Sequence, residues 1–495
     1  MFNQRTSFSI CTGGNSKCQK NMGNTSSEPM GANDSSEKSS RIAHIIIDNN
    51  LTTKIADGNN ENLQMFKLNL DKTWQNCDRF CRRNTFGKNN TKQNKTIMMI
   101  GATGAGKTTL INSMINYILG VEWEDDFRFV LIDEDKQKSQ AESQTSEITA
   151  YQINHMDGFK VPYSLTIVDT PGFGDTRGIS HDQKITEQIQ EFFSARGGID
   201  HIDAVCFVVQ ASLARLTHTQ KYIFDAILSI FGKDIAGNII GLITFADGKP
   251  PPVLEAIKVS EIPCAKTQSG DPLHFKFNNS AIFANNNKST EDEGNDCDQN
   301  FDQMFWKLGF SSMGKFFTSL GTMKTKSLTL TQEVLKERKQ LEVLVEGLQP
   351  QINVGLTKLN EIRKTKAALG QHKAEMEANK DFEYETEVMS KEKIFEELEK
   401  ELEDVKYTVA SLIEESQKSL KRLQDIALKP NPLSVPDYID LMIQSEKQEG
   451  KPGFQDRILS LQDVRKKAEI ITKVFTGDTL PEDLKAYKPT TTKKA

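Results

Sequence analysis

The sequence predicts an α/β domain with a mainly parallel, doubly wound sheet, followed by an α-helical, coiled-coil region. Three observations support this prediction. A glycine-rich loop at 101–108 lies between an apolar stretch of strand length and a stretch with helical periodicity. From residue 91 to about 325, apolar runs of strand length alternate with helical stretches, as in parallel α/β sheets. Beyond 325, apolar residues recur mostly three or four positions apart among Glu, Lys and Gln.

The N-terminal segment, residues 1–90, is rich in Asn, Ser, Thr and Lys and has few aliphatic side chains. Such a segment has too little apolar surface to offset the chain entropy lost on folding, so we expect a disordered tail. Only 43–48 and 63–70 carry enough apolar residues to form regular structure. Cys77 and Cys81 form a close pair, but no second Cys or His pair follows, so free thiols are favoured over a zinc site.

The glycine-rich loop, Gly101-Ala-Thr-Gly-Ala-Gly-Lys-Thr108, matches the phosphate-binding pattern G-x-x-x-x-G-K-[ST] at every fixed position. Its glycines let backbone N–H groups close around phosphate oxygens, and the following helix N-terminus adds positive potential. Lys107 is predicted to bridge the outer phosphates, and the Thr108 hydroxyl to bind Mg²⁺. The loop therefore predicts binding of a nucleoside triphosphate with Mg²⁺. The predicted nucleotide-contacting residues here are Gly101, Gly104, Gly106, Lys107, Thr108 and Thr109.

The predicted domain, residues 91–325, contains six candidate strands and three further candidate helices. The strands are 96–100, 146–154, 163–169, 204–210, 239–245 and 280–284. The helices lie near 181–194, 217–230 and 299–319. In a sheet of this kind ligands bind beyond the carboxyl ends of the strands, and most of the remaining candidate site residues lie at such an end.

Asp169-Thr-Pro-Gly172 closes the third predicted strand. A hydrolase with this phosphate loop needs a carboxylate here for the Mg²⁺ shell, and a glycine whose N–H meets the γ-phosphate. These roles are assigned to Asp169 and Gly172. The polar segment 142–147 precedes another strand, where a switch loop needs a hydroxyl that reaches Mg²⁺. Thr145 is the first choice for this catalytic and metal-binding role, with Ser143 and Ser146 as alternatives.

The base-reading motif is expected after the strand 239–245, where the sequence is Thr244-Phe-Ala-Asp247. The Asp247 carboxylate can accept two hydrogen bonds from guanine, whereas adenine would present a lone pair to it. Guanine-specific proteins have [NT]-K-x-D, so Phe245 replaces the lysine. Downstream, Ser280 and Ala281 resemble the S-A-x loop whose backbone contacts the guanine oxygen. We therefore expect GTP and GDP rather than ATP.

Three segments occur in order along the predicted domain: 101–110, Asp169-Thr-Pro-Gly-Phe-Gly-Asp175 and Ala211-Ser-Leu-Ala-Arg-Leu-Thr-His218. Together they resemble the immune-associated (GIMAP-type) nucleotide-binding GTPases, whose relatives are the septins and the chloroplast-import GTPases. The resemblance covers about 95–320 and implies a P-loop GTPase domain, called the G domain below. It also implies G domains that pair face to face across the nucleotide. Thr244-Phe-Ala-Asp247 departs from the septin sequence A-K-A-D.

The resemblance also bears on catalysis. Ras-like enzymes place a Gln directly after the glycine equivalent to Gly172, where it orients the attacking water. Here that residue is Phe173, so we expect slow hydrolysis unless another group supplies the missing function. Arg215 lies between the third and fourth motifs, as does the characteristic box of the family, and it is a candidate for stabilising charge across a dimer. A salt bridge at a helix start is the alternative role for Arg215. A structural role is likewise the alternative for His218.

The region 326–430 carries heptad-like apolar patterns on both sides of Pro350, a residue expected to kink or break the first helix. Two helices forming an antiparallel hairpin, a dimeric coiled coil, and a helical subdomain folded back on the G domain all fit this pattern. Residues 431–495 are predicted to be a weakly helical segment and a polar tail.

Composition narrows the function classes. The net charge of −6 gives no reason to expect nucleic acid or an anionic membrane as the main partner. Seven scattered cysteines favour reduced thiols in the cytoplasm. No apolar run reaches the roughly 18–20 residues of a membrane helix, so membrane contact would be peripheral.

We therefore expect a cytoplasmic GTP-dependent switch that dimerises or oligomerises through its G domain, with the heptads offering a surface for a coiled-coil partner. The alternatives are a septin-like filament protein in which nucleotide is mainly structural, and a nucleotide-binding scaffold without useful turnover.

Overall fold

The computed structural model describes residues 41–55, 63–76, 81–133, 145–174, 179–214, 218–284, 296–379, 382–430, 436–450 and 454–476. Its helices are α1 (Ile42–Asp48), α2 (Lys107–Ile118), α3 (Ile179–Ser194), α4 (His218–Leu228), α5 (Val253–Val259), α6 (Asp296–Thr322), α7 (Thr329–Asn379), α8 (Phe382–Ile426), α9 (Pro436–Glu449) and α10 (Phe454–Thr476). Two short 3-10 helices are Lys233–Asn238 and Ser280–Phe283.

The strands are β1 (Thr52–Ile55), β2 (Gln64–Leu68), β3 (Asp71–Asn76), β4 (Cys81–Phe86), β5 (Asn94–Gly101), β6 (Phe127–Val130), β7 (Ile148–Ile153), β8 (Ser164–Asp169), β9 (His201–Ile202), β10 (Ala204–Gln210), β11 (Ile239–Thr244), β12 (His274–Lys276) and β13 (Lys326–Ser327).

The main sheet has the order β12-β11-β10-β5-β8-β7-β4-β3 among the described residues. The pairs β7–β8 and β3–β4 are antiparallel, and the others are parallel. Alternate residues of β5 face two separate hydrophobic clusters: Met98 and Ile100 join α3, α4 and α5, whereas Ile97 and Met99 join α1, α2 and α6. Helices thus cover both faces, which confirms the predicted doubly wound, mainly parallel fold.

Five of the six predicted strands occur within a few residues of their expected bounds, but 280–284 is a 3-10 helix. The sheet instead ends at β12, a few residues earlier. The Asn278 side-chain oxygen accepts hydrogen bonds from the N–H (3.3 Å) and hydroxyl (2.9 Å) of Ser280, a local bond that favours a turn over a strand.

The predicted limit of the N-terminal tail at residue 90 is wrong, because residues 42–86 contain α1 and β1–β4. The two apolar segments singled out in the sequence become α1 and β2. Helix α1 buries Ile42, Ala43 and Ile46 against the cluster that holds α2, and β4 pairs with β7. A few apolar residues suffice here, because an existing domain surface covers them. Residues 1–40 lie outside the described residues.

Helices α7 and α8 form an antiparallel hairpin. Ion pairs link positions that rise along α7 to positions that fall along α8: Glu333 to Arg422, Lys358 to Glu401, and Lys373 to Glu392. The predicted break at Pro350 is absent, since α7 continues through it. Pro350 and Glu346 are both exposed, so water can satisfy the carbonyl that the missing proline N–H leaves without a donor.

The helical region also folds back on the G domain. Residues of α9 and α10 share a hydrophobic cluster with α3 and α4. Arg338 of α7 donates hydrogen bonds to the carbonyl oxygens of Ser229 (2.8 Å) and Pro430 (3.2 Å), and its burial lowers the pKa of the guanidinium to about 10. The structure therefore combines the hairpin with the folded-back subdomain. No helix among the described residues is long and apolar enough to cross a membrane.

A buried ion pair closes the end of the sheet opposite to the carboxyl ends. Lys95 Nζ lies 2.9 Å from Asp203 Oδ1, and both side chains are almost fully buried. Asp203 also accepts hydrogen bonds from Thr96 N–H (2.8 Å) and the Thr325 hydroxyl (2.7 Å). The pair thereby joins β5 to the segment that leads into α7.

We predict that Asp203→Asn lowers the free energy of unfolding by about 3–5 kcal/mol, because it leaves the Lys95 charge buried without a countercharge. Chemical denaturation measures this change. The matched control is Asp133→Asn, which removes a half-exposed partner of Lys67 at 3.2 Å and should cost at most about 1 kcal/mol. Equal losses in the two variants would contradict the prediction.

Candidate nucleotide-binding site

Three loops that carry candidate site residues meet at the carboxyl ends of β5, β8 and β11. Thr103 N–H donates to Phe173 O at 2.9 Å, and Phe173 N–H donates to Gly101 O at 3.2 Å. The Thr244 hydroxyl donates to Ala105 O at 2.8 Å. Because β5 lies beside β8, with β10 between it and β11, these bonds join the phosphate loop to the Asp169 and Asp247 motifs.

The phosphate loop has the backbone conformation that its glycines predict. Gly104 and Gly106 have φ of +74° and +83°, in the left-handed region that other residues avoid. Helix α2 begins at Lys107, directly after the loop. Its first N–H groups and its dipole therefore point at the space that the loop surrounds, and both favour an anion there.

Lys107 is buried, and its amino group donates hydrogen bonds to Gly101 O (3.2 Å) and Ala102 O (3.1 Å). Burial lowers the pKa of Lys107 to about 8, while the charge of Asp169 acts in the opposite direction. A phosphate group beside this amine would favour the charged form and offset the effect of burial. The amine is therefore suited to bind a polyphosphate.

The structure brings together the predicted magnesium ligands Thr145 and Asp169. The Thr145 hydroxyl donates to Asp169 Oδ2 at 3.1 Å, and Asp169 is 1 % exposed. Thr108 is buried in the first turn of α2. Mg²⁺ prefers oxygen ligands, so the two hydroxyls and the carboxylate fit this ion. Of the alternatives to Thr145, Ser146 is exposed and Ser143 lies outside the described residues.

Gly172 and Phe173 have opposite roles in the loop after β8. A Cβ atom on Gly172 would lie 2.5 Å from Thr103 Oγ1 and 2.6 Å from Thr103 Cα, so only glycine permits this approach to the phosphate loop. The Phe173 side chain is fully buried in the hydrophobic core. A buried phenyl ring cannot hold a water molecule for catalysis, which is what the sequence predicts for Phe173.

At the base end, Asp247 is exposed, and its Oδ1 accepts a hydrogen bond from Lys249 N–H at 3.0 Å. Phe245 is 59 % exposed and has φ of +53°, an uncommon and strained conformation for a phenylalanine. Its ring lies beside Gly106, within 3.6 Å of where a Cβ atom would be. A strained, exposed aromatic ring next to the phosphate loop is available to pack on a base.

The loop with Ser280 and Ala281 is held near Asp247. Ala246 N–H donates to Phe277 O at 3.0 Å, and Phe277 N–H donates to Ile243 O at 2.7 Å. Ser280 is exposed, whereas Ala281 is buried. The two parts of the predicted base site therefore occupy neighbouring loops.

Sequence reasoning missed two residues that support the site. Arg128 of β6 is fully buried; its Nε donates to Ile282 O at 3.1 Å, and its guanidinium carbon lies 4.5 Å from the Trp306 ring centroid. No pattern around Arg128 indicates this role. Gln210 donates from Nε2 to Gly104 O at 3.0 Å. A polar residue at the carboxyl end of the apolar strand β10 was a signal that could have revealed it.

The remaining candidate residues are Arg215, His218 and Thr109. Arg215 lies outside the described residues, as does the side chain of His218, where α4 begins. Thr109 is half-buried in the first turn of α2. Cys206 and Cys264 are free thiols, and burial raises the pKa of the Cys206 thiol; Cys77 lies outside the described residues.

The order of the motifs, and their meeting at one edge of a mainly parallel sheet, define a P-loop GTPase domain. Within this class, residues 92–196 match a family model described as Septin. Septin-1 of Drosophila melanogaster is 32% identical over 117 residues, which are 22% of this chain and 29% of that protein. The chain thus spans less than a third of the length of this curated relative.

The solved structures that this chain resembles include Toc33 from Arabidopsis thaliana in complex with Mg²⁺ and GMPPNP. It is 18% identical, with 47% of this chain and 88% of that chain covered and a TM-score of 0.30. The complex of Toc33 with GDP and Mg²⁺ is 17% identical, with 45% and 84% covered and a TM-score of 0.28.

We predict that Gly172→Ala lowers the free energy of unfolding by about 1–3 kcal/mol, because the new methyl group would push Thr103 and the phosphate loop away. Thermal or chemical denaturation measures the change. Gly237→Ala is the control, since a Cβ atom there meets nothing within 4 Å, and it should change stability by less than about 0.5 kcal/mol. The close approach is refuted if both variants are equally stable.

Proposed function

We propose that this chain binds GTP and GDP with Mg²⁺ and acts as a GTPase switch whose hydrolysis is slow or depends on dimerisation. One observation carries the proposal. The phosphate-loop lysine, the Asp169 carboxylate and the Thr145 hydroxyl stand at adjacent strand ends that backbone hydrogen bonds hold together. This arrangement supplies a cation for the phosphates and oxygen ligands for the metal ion.

Each group has a defined task in this proposal. Lys107 and the N–H groups of the phosphate loop bind the β- and γ-phosphates, and Gly172 N–H meets the γ-phosphate. Thr108, Thr145 and Asp169 hold Mg²⁺, which neutralises phosphate charge when it is bound. In hydrolysis, water attacks the γ-phosphorus, the bond to the β–γ bridging oxygen breaks, and GDP and phosphate form. The proposed role of Thr145 ties the metal site to the presence of the γ-phosphate.

Guanine selection rests on Asp247 and on the backbone of Ser280 and Ala281. An exposed carboxylate beside this loop can accept the N–H groups of guanine, whereas adenine would leave it facing an acceptor. Phe245 then packs on the base in place of the lysine found in guanine-specific relatives. The family match at 92–196 ends before these residues, so the base preference depends on the chain's own motif.

We predict that Asp247→Asn weakens GTP binding roughly 10- to 100-fold and strengthens XTP binding, because an amide can donate to the 2-oxo group of xanthine. Competition binding with GTP, XTP and ATP measures the change. Asp48→Asn, on the exposed end of α1, is the control and should bind as the wild type does. Wild-type protein that binds ATP as tightly as GTP would refute guanine selection.

Catalysis needs a group that orients water or stabilises charge, and Phe173 cannot supply it. Its ring is buried in the core, so the residue after Gly172 cannot orient water. We place Arg215 in this role, acting across a homodimer or oligomer in which two G domains face each other, as in the immune-associated GTPases that the motifs resemble. The site would then be complete only in the assembled, cytoplasmic protein.

We predict that GTP hydrolysis per molecule rises with protein concentration, and that Arg215→Ala removes this rise while nucleotide affinity is unchanged. A cation supplied in trans can be worth about 10³-fold or more in rate. Light scattering defines the concentration range over which the protein dimerises, and turnover assays across that range test the claim. Arg196→Ala is the surface control. Flat specific activity contradicts activation in trans; lost stability with the concentration dependence intact indicates a salt bridge.

A septin-like filament or scaffold protein, with nucleotide mainly structural, is the second candidate. The match of 92–196 to the Septin model and the 32% identity to Septin-1 favour it. Electron microscopy of the purified protein with GTP separates the two proposals, because filaments support the second and discrete dimers the first.

A further inference from the structure

The strand that follows Thr145 has a neighbour that the sequence did not reveal. β7 begins three residues after Thr145 and lies between β8 and β4. The β4–β7 ladder is parallel and runs from Cys81 opposite Ile148 to Phe86 opposite Ile153. Without β4, the strand β7 would be at the edge of the sheet, and its first residues would fray more easily. The N-terminal hairpin β3–β4 therefore borders the proposed magnesium site.

A bidentate ion pair joins the hairpin to the segment that carries Thr145. Arg82 Nε lies 2.6 Å from Glu147 Oε2, and Arg82 Nη2 donates to Glu147 Oε1 at 3.0 Å. Two parallel bonds fix the direction of a carboxylate better than a single bond does. The side chains are 43 % and 21 % exposed, so the pair contributes more to geometry than to stability.

Thr145 is thus held from two sides. Its hydroxyl donates to Asp169 Oδ2 at 3.1 Å, and Glu147, two residues later, is held by Arg82. We propose that Arg82 is a positioning residue of the nucleotide site, which acts through Glu147 to keep the Thr145 hydroxyl within reach of Asp169 and Mg²⁺. This inference rests on the proposed GTP-binding function.

This positioning role predicts different effects of an Arg82 variant on triphosphate and diphosphate binding. In the proposed GTP complex, Thr145 N–H would meet the γ-phosphate, so the position of Thr145 should matter to the triphosphate complex more than to the diphosphate complex. A ligand distinguishes two states of a protein only through contacts that differ between them. Loss of Arg82 should therefore weaken binding of a GTP analogue more than binding of GDP.

The first experiment compares hydrogen–deuterium exchange of the peptide 145–153 in nucleotide-free full-length wild type and Arg82→Ala. We expect faster exchange in the variant at the start of the peptide. Unchanged exchange overturns the inference whatever the nucleotide results are. This measurement needs no ligand, so it is independent of the proposed function.

The second experiment measures the ratio of GMPPNP to GDP affinity with Mg²⁺. Arg82→Ala should lower this ratio roughly fivefold, the effect of one partly exposed bidentate pair. The charge swap Arg82→Glu with Glu147→Arg should restore it. Arg83→Ala is the matched control on the same strand, since Arg83 donates to Gly198 O at 3.1 Å on the other side, and it should leave the ratio unchanged.

Equal weakening of both nucleotides by Arg82→Ala, or failure of the charge swap to restore the ratio, indicates a merely structural role and overturns the inference. Wild-type protein that binds neither nucleotide overturns the proposed function instead, and the exchange experiment alone then decides whether Arg82 holds Thr145.

Discussion

Two backbone hydrogen bonds, between Thr103 and Phe173 and between Phe173 and Gly101, hold the site together. They continue the β5–β8 pairing beyond the ends of both strands, so the phosphate loop and the Asp169 loop form one unit. The unit requires a glycine at 172, because any side chain would meet Thr103. It also requires an apolar residue at 173, because that side chain is anchored in the core. The same anchoring removes position 173 from catalysis, so structure and chemistry are coupled at a single residue.

Much of the G domain could be predicted from sequence, and the reasons are local. Strand β10 is a continuous apolar run, and β8 is rich in apolar and β-branched residues; both end at polar motifs, and the glycines of the phosphate loop permit few alternatives. Strands β1 and β3 were missed because they are polar and short, and tertiary pairing decides their structure. Arg128 was missed for a related reason, since its partners are backbone carbonyls, which leave no trace in sequence. Helix α7 continues through Pro350, where the exposed position lets solvent replace the lost hydrogen bond.

The buried cations of the chain are stabilised in three different ways. Lys95 has a carboxylate partner, so the charge is neutralised inside the fold. Arg128 and Arg338 are surrounded by carbonyl oxygens, and burial lowers the pKa of each to about 10. Lys107 donates to two carbonyl oxygens, and burial lowers its pKa to about 8 while the charge of Asp169 acts in the opposite direction. Burial lowers the pKa of Arg128, Arg338 and Lys107 from its ordinary value, so the partners of each cation, rather than its pKa, distinguish their environments.

The α7–α8 hairpin has a mechanical consequence. Its inner part packs with α10, whereas Leu359, Ile362 and Leu402 form a separate cluster built from α7 and α8 alone. From Leu356 to Asn379 this outer part is about 36 Å long at 1.5 Å per residue. A stiff rod of that length converts a tilt of about 10° at its base into a displacement of about 6 Å at its tip. The base of the rod rests on α3 and α4, so a small rotation of these helices would move the tip of the rod by several times as much.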